Sequence, residues 1–293
     1  CGTIFWIRVD STRNKKGPGL PHAKMSGGKA QAVVKLSAMN LRGFIFGMAT
    51  AVAGLMAAGA TLAPEPQPTA AGPVARPVSR VVRTTPVVLE LFTAQGCAGC
   101  SDADRMVEDA ADTPGVIVLT YGVDYWDYLG WADTFARPEF AQRQHAYRQA
   151  LRLRSVSTPQ VVIDGHRQIS GARSPELQTA IDEESGRREF PPEIEFRAAG
   201  DRVGVGSGRP PEGGAEVVAV TYTPGLQSVQ IDRGDNRGQI VRQLNVVRGV
   251  TRLGAWTGRS ALFDLPPPAD DGDAVVVLLQ ARADRRILTA AQR

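Results

Sequence analysis

Two cysteines three residues apart, Cys97-Ala98-Gly99-Cys100, stand where an apolar, β-prone run gives way to a helical pattern. Val87 to Phe92 reads as a strand, Thr93-Ala94-Gln95-Gly96 breaks it, and Ala103, Met106, Val107 and Ala110 then recur at helical spacing. The chain must therefore carry the pair from a strand end to a helix start. There the two thiols can close a small disulfide ring, and the unpaired N–H groups and positive dipole end favour a thiolate on the first. The residues point to thiol–disulfide exchange. Cys97 is expected to be the accessible thiol and Cys100 the buried one.

Two blander readings compete. A zinc site is one, but Cys1 is the only other cysteine and the histidines are His22, His145 and His166, none at ligand spacing. A buried, permanent disulfide is the other.

The context downstream bears on the choice. Ser157-Thr158-Pro159 leads directly into Gln160 to Ile163, a strand closed by the Asp164-Gly165 turn. Proline is tolerated at the first residue of a strand because its missing N–H need not join the ladder. The predicted order is β (Val87–Phe92), α (Ser101–Ala111), β (Val116–Tyr121), α (Pro138–Leu151), β (Gln160–Ile163), β (Arg167–Ser170), α (Pro175–Glu184), the last with Ser174 as cap. This order with its Cys-x-x-Cys resembles the thioredoxin fold. The resemblance implies that Pro159 is cis and faces the cysteines, with Thr158 docking a bound peptide. It also places Glu90 near the position of thioredoxin's buried proton-shuttling acid; an acid turned to solvent is the alternative.

Leu91-Phe-Thr-Ala-Gln-Gly-Cys-Ala-Gly-Cys-Ser-Asp-Ala-Asp104, Val123-Asp-Tyr-Trp-Asp-Tyr-Leu-Gly-Trp131 and Asn236-Arg-Gly…Asn245-Val-Val-Arg248…Leu253-Gly-Ala-Trp256 narrow it further. These resemble the secreted bacterial thioredoxin-like family catalogued as domain-of-unknown-function family 1223. The likeness implies an α/β thioredoxin-like domain (βαβαββα with an insertion) fused to a β-rich domain, in an exported protein. It supplies no substrate.

The charge balance agrees with export. Residues 1–42 carry eight Lys/Arg against one Asp, so the rest of the chain is mildly acidic despite the overall +4, and nucleic acid is not an expected partner. Residues 43–63 lack any charge and are rich in Ala, Gly, Met and Phe, the anatomy of a signal peptide or membrane anchor. Pro64, Pro66, Pro68, Pro73 and Pro77 mark 64–85 as a semi-extended linker. The expected organisation is thus a basic extension with a misread start (1–42), signal or anchor (43–63), linker (64–85), thioredoxin-like domain (86–189) and β-rich domain (190–293). The location is periplasmic, or membrane-anchored facing the periplasm, an oxidising compartment that suits a redox pair.

Asp124 to Trp131 packs four aromatics and two acids into eight residues after the second strand. Tyr125 and Trp126 are expected to wall a substrate cleft, and Trp131 to plug the insertion onto the fold. On the next helix Phe140, Tyr147 and Leu151 form an apolar stripe, with His145 exposed on its flank and His166 exposed in a turn. Period-two patterning takes over beyond Pro191. Short strands at Glu193–Phe196, Arg202–Val205, Glu216–Thr223, Val229–Asp232, Ile240–Val247, Ser260–Leu265, Ala274–Ala281 and Arg286–Leu288 suggest an antiparallel sandwich. Arg233 to Gly238 reads as a tight Gly-bounded loop.

The leading reading is an exported thiol–disulfide oxidoreductase acting on protein disulfides, with Cys97 attacking, Cys100 resolving and Thr158-Pro159 docking the client. No cofactor is required, because the electrons reside in the dithiol. Its partners are client proteins and a redox partner that recycles the pair, with membrane contact only through 43–63 if uncleaved. Asp102 and Asp104 in the helix's first turn oppose a Cys97 thiolate, which favours a reductase or isomerase over an oxidase. The alternatives are a soft-metal (copper) binding protein and a non-catalytic interaction module of the same fold.

Overall fold

The computed structural model describes residues 85–187 and 190–293. The expected extension (1–42), signal or anchor (43–63) and all but the last residue of the linker lie outside them. Among the described residues no helix is long and apolar enough to cross a membrane.

The chain runs β1 (Val87–Thr93), α1 (Cys100–Ala110), β2 (Val116–Gly122), a 3₁₀ turn (Asp127–Leu129), α2 (Pro138–Ala150), β3 (Gln160–Ile163), β4 (Arg167–Ser170) and α3 (Ser174–Ser185). It continues through β5 (Ile194–Phe196), β6 (Arg202–Val205), β7 (Ala215–Gln230), β8 (Ile240–Trp256), β9 (Ala261–Asp264), β10 (Ala274–Ala281) and β11 (Ile287–Gln292). Ser174 is the first helical residue of α3 and makes no cap; Arg173 holds the cap position.

β1 is apolar on nearly every position because it is buried on both faces, the pattern of an interior strand. Its Leu89 and Leu91 pack with Ala103, Met106 and Val107 of α1 and Leu177 and Ile181 of α3. On the other face Val88 and Phe92 pack with Tyr121, and with Phe140 and Tyr147 of α2. β1 pairs parallel with β2 from Val87↔Val116 to Thr93↔Gly122, and antiparallel with β3.

The expected separate sandwich is corrected. One eight-stranded sheet runs β11-β10-β7-β8-β2-β1-β3-β4, crossing the boundary expected at 189/190, and the described residues belong to one compact unit. The join is a parallel contact at Thr120↔Val246. Thr120 Oγ1 donates to Leu244 O (2.6 Å), and Asn245 Nδ2 to Val118 O (3.1 Å). Sandwich-like packing survives only locally. The sheet β5-β6-β9 covers one face of the long sheet's far end, where Ile194, Val203 and Val205 meet Val217, Trp256, Val277 and Leu279. Strand periodicity gives each strand two faces but not its lateral neighbour, and the edge of β2 was open to either arrangement.

Glu216–Thr223 and Val229–Asp232, expected as separate strands, are one: β7 continues through Pro224-Gly225, with register shifts at Thr221/Tyr222 and Thr223/Leu226. Gly225 takes φ +81° and donates its N–H to Asn245 Oδ1 (3.0 Å), a bulge rather than an end. β7 and β8 therefore form one long hairpin whose tip is the 231–239 loop.

Candidate functional site: a roofed disulfide

Cys97 and Cys100 are disulfide-bonded, with their Cα atoms 5.4 Å apart. Cys97 N–H donates to Ala94 O (3.1 Å) and Cys100 N–H to Cys97 O (3.1 Å), winding the segment into a turn that opens α1. Gly99 holds the helix's cap position and supplies no side-chain bond.

The expectation of an accessible Cys97 is corrected: it is 3% exposed, against 1% for Cys100. Only Ala98 and Gly99 reach solvent at the turn. Three later segments close over the sulfur. The Thr158–Pro159 peptide bond is cis, and Thr158 Oγ1 lies 3.6 Å from Cys97 Sγ, to which it donates. Trp126 Nε1 in turn donates to Thr158 Oγ1 (2.7 Å). Tyr125 OH donates to Gln144 Oε1 (3.1 Å), and Gln144 Nε2 donates to Ser157 O (2.9 Å). Tyr125 and Trp126, both half-buried, thus brace the proline loop from one side. Trp131 Nε1 donates to Gln95 Oε1 (2.9 Å), and Gln95 N–H donates to Asp133 Oδ2 (2.7 Å), which fastens the aromatic insertion to the loop before Cys97. Tyr128 alone of the four aromatics stands 79% exposed.

The third segment is the hairpin tip. Asn236 Nδ2 donates to Gln95 O (2.7 Å) and Cys97 O (3.1 Å) across more than a hundred residues of sequence. Its Oδ1 is buried with no hydrogen-bond partner. Gly234, at φ +75°, lies against Leu129 O and the Trp131 Cβ, 3.7 Å from where its own Cβ would be, so the tip also seats on the insertion. The loop is not merely a turn.

Glu90 is not turned to solvent. It is fully buried, and Arg143 donates to it from Nε (2.7 Å) and Nη2 (3.1 Å), with Tyr147 OH as a further donor. Burial pushes its pKa up, but the Arg143 charge and the bonds outweigh it and hold the group below the ordinary range. It therefore stays an anion in an ion pair. Arg143 also stacks over the Tyr147 and Tyr121 rings (5.1 and 5.9 Å) and donates to Gln280 Oε1 (3.4 Å) of β10. The pair is a structural tie between α2, β1 and the C-terminal strands.

Asp102 and Asp104 part company. Asp102 is exposed and paired with Arg105. Asp104, one turn beyond Cys100 on the same helix face, is 3% exposed, and neither carboxyl oxygen has a hydrogen-bond partner. Burial lifts its pKa to about 8; Thr93 and Arg105 pull it down and Asp133 pushes it further up. At neutral pH it is mainly uncharged, so only Asp102 of the two opposes a thiolate at the helix start.

His145 is exposed, whereas His166, expected exposed, is half-buried with Nε2 3.3 Å from Glu184. Among the described residues no group of three or more His, Cys, Asp or Glu comes together to hold a metal.

The molecule is a mixed α/β protein built on one large, mostly β sheet, with a Cys-x-x-Cys disulfide at a helix start beside a cis-proline loop. It belongs to the family described as protein of unknown function DUF1223, whose profile matches residues 88–280. The crystal structure of protein AGR_C_4864 from Agrobacterium tumefaciens is similar, at 31% identity and TM-score 0.59 over 72% of this chain and 94% of that one. Thioredoxin from Malassezia sympodialis matches at 22% identity and TM-score 0.24, over 35% of this chain and 80% of that one. No curated protein matches.

Proposed function

We propose that this is an exported thiol–disulfide oxidoreductase of thioredoxin-like type, working through Cys97 and Cys100. The observation that carries the reading is the pair's setting. A disulfide at the first turn of α1 has the cis Thr158–Pro159 loop against it and a hydroxyl 3.6 Å from the leading sulfur. The order βαβαββα over residues 87–185 supports the same type. In the reductive direction a Cys97 thiolate attacks a client disulfide and forms a mixed disulfide, releasing one client thiolate, which takes up a proton. Cys100 then gives up its proton and attacks Cys97 sulfur, freeing the second client thiol and leaving Cys97–Cys100 oxidised. A thiol partner restores the dithiol at its own expense.

The test is client trapping. Cys100→Ala blocks resolution and is expected to accumulate mixed disulfides in an exported preparation, whereas Cys97→Ala accumulates none. Equal trapping by the two, or none by either, overturns the reading.

The burial of both sulfurs favours a second reading, a non-catalytic module with a permanent disulfide. On that reading the pair stays oxidised under a glutathione buffer that reduces exposed catalytic pairs.

A further inference from the structure

The hairpin tip is bound to the disulfide loop by one side chain, and that side chain is placed to influence the loop's chemistry. We propose that Asn236 is a positioning residue that sets the redox equilibrium of the Cys97–Cys100 pair, by holding the carbonyls of Gln95 and Cys97 in the conformation the disulfide requires. The proposal deepens the oxidoreductase reading and rests on it for its biological sense.

Cys97 O accepts from Cys100 N–H within the turn and from Asn236 Nδ2 outside it, both at 3.1 Å. Gln95 O accepts from the same Nδ2 at 2.7 Å, and Gln95 is held besides by Asp133 and Trp131. The amide group therefore spans the segment that leads into the first sulfur, at 1% exposure, where water does not compete for its donors. Its own Oδ1 is left buried and unpaired, a cost the fold carries to keep the two donors where they are.

Reduction changes what that clamp holds. A glutathione thiolate attacks Cys97 sulfur, the S–S bond breaks, and Cys100 leaves as a thiolate that takes up a proton. A second glutathione thiolate attacks the glutathione sulfur of the mixed disulfide and frees Cys97, which takes up a proton in turn. The pair has gained two electrons and two protons, and glutathione is oxidised to its disulfide. The two protein sulfurs, no longer bonded, must part to van der Waals separation, and on this proposal the 97–100 turn between them relaxes as they do. A clamp fitted to the closed turn loses geometry in the relaxed one. Asn236 therefore favours the disulfide over the dithiol, and its removal shifts the pair toward the dithiol.

The experiment equilibrates the full chain with glutathione buffers and counts oxidised protein by alkylation and mass. Asn236→Ala removes the donors. Asn236→Asp keeps the size but cannot donate from its carboxylate. Each is expected to lower the equilibrium constant for disulfide formation roughly tenfold, which for a two-electron couple is about 30 mV toward the more oxidising side. Arg237→Ala, exposed on the same tip, is expected to leave it unchanged.

Wild-type constants in both Asn236 variants, or an equal shift in Arg237→Ala, overturn the proposal. Should the variants not fold, the wild type itself decides. Amides of 234–239 are expected to exchange faster with deuterium in the dithiol form than in the disulfide form, and equal rates overturn it. These readouts need no client. A shifted equilibrium in a protein that traps nothing leaves Asn236 positioned but removes the oxidoreductase reading, and trapping with an unmoved equilibrium does the reverse.

Discussion

Asp104→Asn should stabilise this protein relative to the wild type, by an amount that grows with pH up to about 8. Asp104 carries a buried carboxyl with no hydrogen-bond partner and a folded-state pKa of about 8, against an ordinary value of 3.8. The folded chain thus holds this proton more tightly than the unfolded chain does. The stability tied to the neutral carboxyl is fully present below about pH 4, drains away as the pH rises toward 8, and is gone above it. One pKa unit is worth about 1.4 kcal/mol, so the wild type loses up to that much per pH unit across the window, on the order of 5 kcal/mol in all. Asparagine has the same shape and cannot charge.

The assay is urea unfolding of the oxidised protein at pH 4, 6, 8 and 9, wild type beside variant. The disulfide keeps thiol titration out of the comparison. Burial also raises Asp133 and Asp164, but both remain in each protein, so the difference curve isolates Asp104 together with its repulsion from Asp133. That difference is expected to be small at pH 4, to grow through pH 6 and 8 in favour of Asp104→Asn, and to level off at pH 9. Parallel stability curves would show that the carboxyl finds water or a partner when it ionises, and the reasoning from burial would fail.

Two further outcomes follow from the buried polar ties. Arg143→Leu strands the Glu90 carboxylate at full burial and is expected to cost about 3–5 kcal/mol in urea unfolding. The double variant with Glu90→Gln should recover most of that loss, and a cost below 1 kcal/mol for the single change would mean that the ion pair is not held as described. At the sheet join, Asn245 has φ +50° and both donates and accepts through its side chain. Asn245→Ala should therefore cost about 1 kcal/mol more than Asn245→Gly, since both lose the bonds but only alanine pays the left-handed strain; equal melting of the two would refute that.

The α/β half was legible because its elements bury one or both faces and announce them by period. Val87–Phe92 is a continuous apolar run, and α1 shows a clean stripe. The same stripe contained an unread signal. Cys100, Ala103, Asp104, Val107 and Ala110 are all buried on α1, so Asp104 lies on the apolar face by position even though its charge suggested solvent. Arg143 hid in the same way. It sits with Gln144 between Phe140 and Tyr147 on the buried face of α2, among other polar residues of identical appearance. Glu90 is its counterpart on the interior strand, and a buried acid on one element implies a buried base on another. Asn236 had no such local mark. Its partners lie on the Gln95–Cys97 segment, and nothing in a Gly-bounded loop tells a free turn from a docked one.

The hidden contacts of Arg143, Asn245 and Asn236 share a direction: each ties the C-terminal strands to the α/β half. Gln280 on β10 meets Arg143 and Tyr147, Asn245 on β8 meets β2, and Asn236 at the hairpin tip meets the disulfide loop. If the C-terminal residues were an independent domain, the contacts would be peripheral and exchangeable. They are instead polar and buried, or half-buried at Asn245, the type whose loss leaves groups unpaired and therefore costs most. The long β7–β8 hairpin extends from the sheet join, fixed at Asn245, to the cysteine turn, fixed at Asn236. The second half of the chain is therefore built into the surroundings of the Cys97–Cys100 disulfide, through Asn236 at the tip and Asn245 at the join.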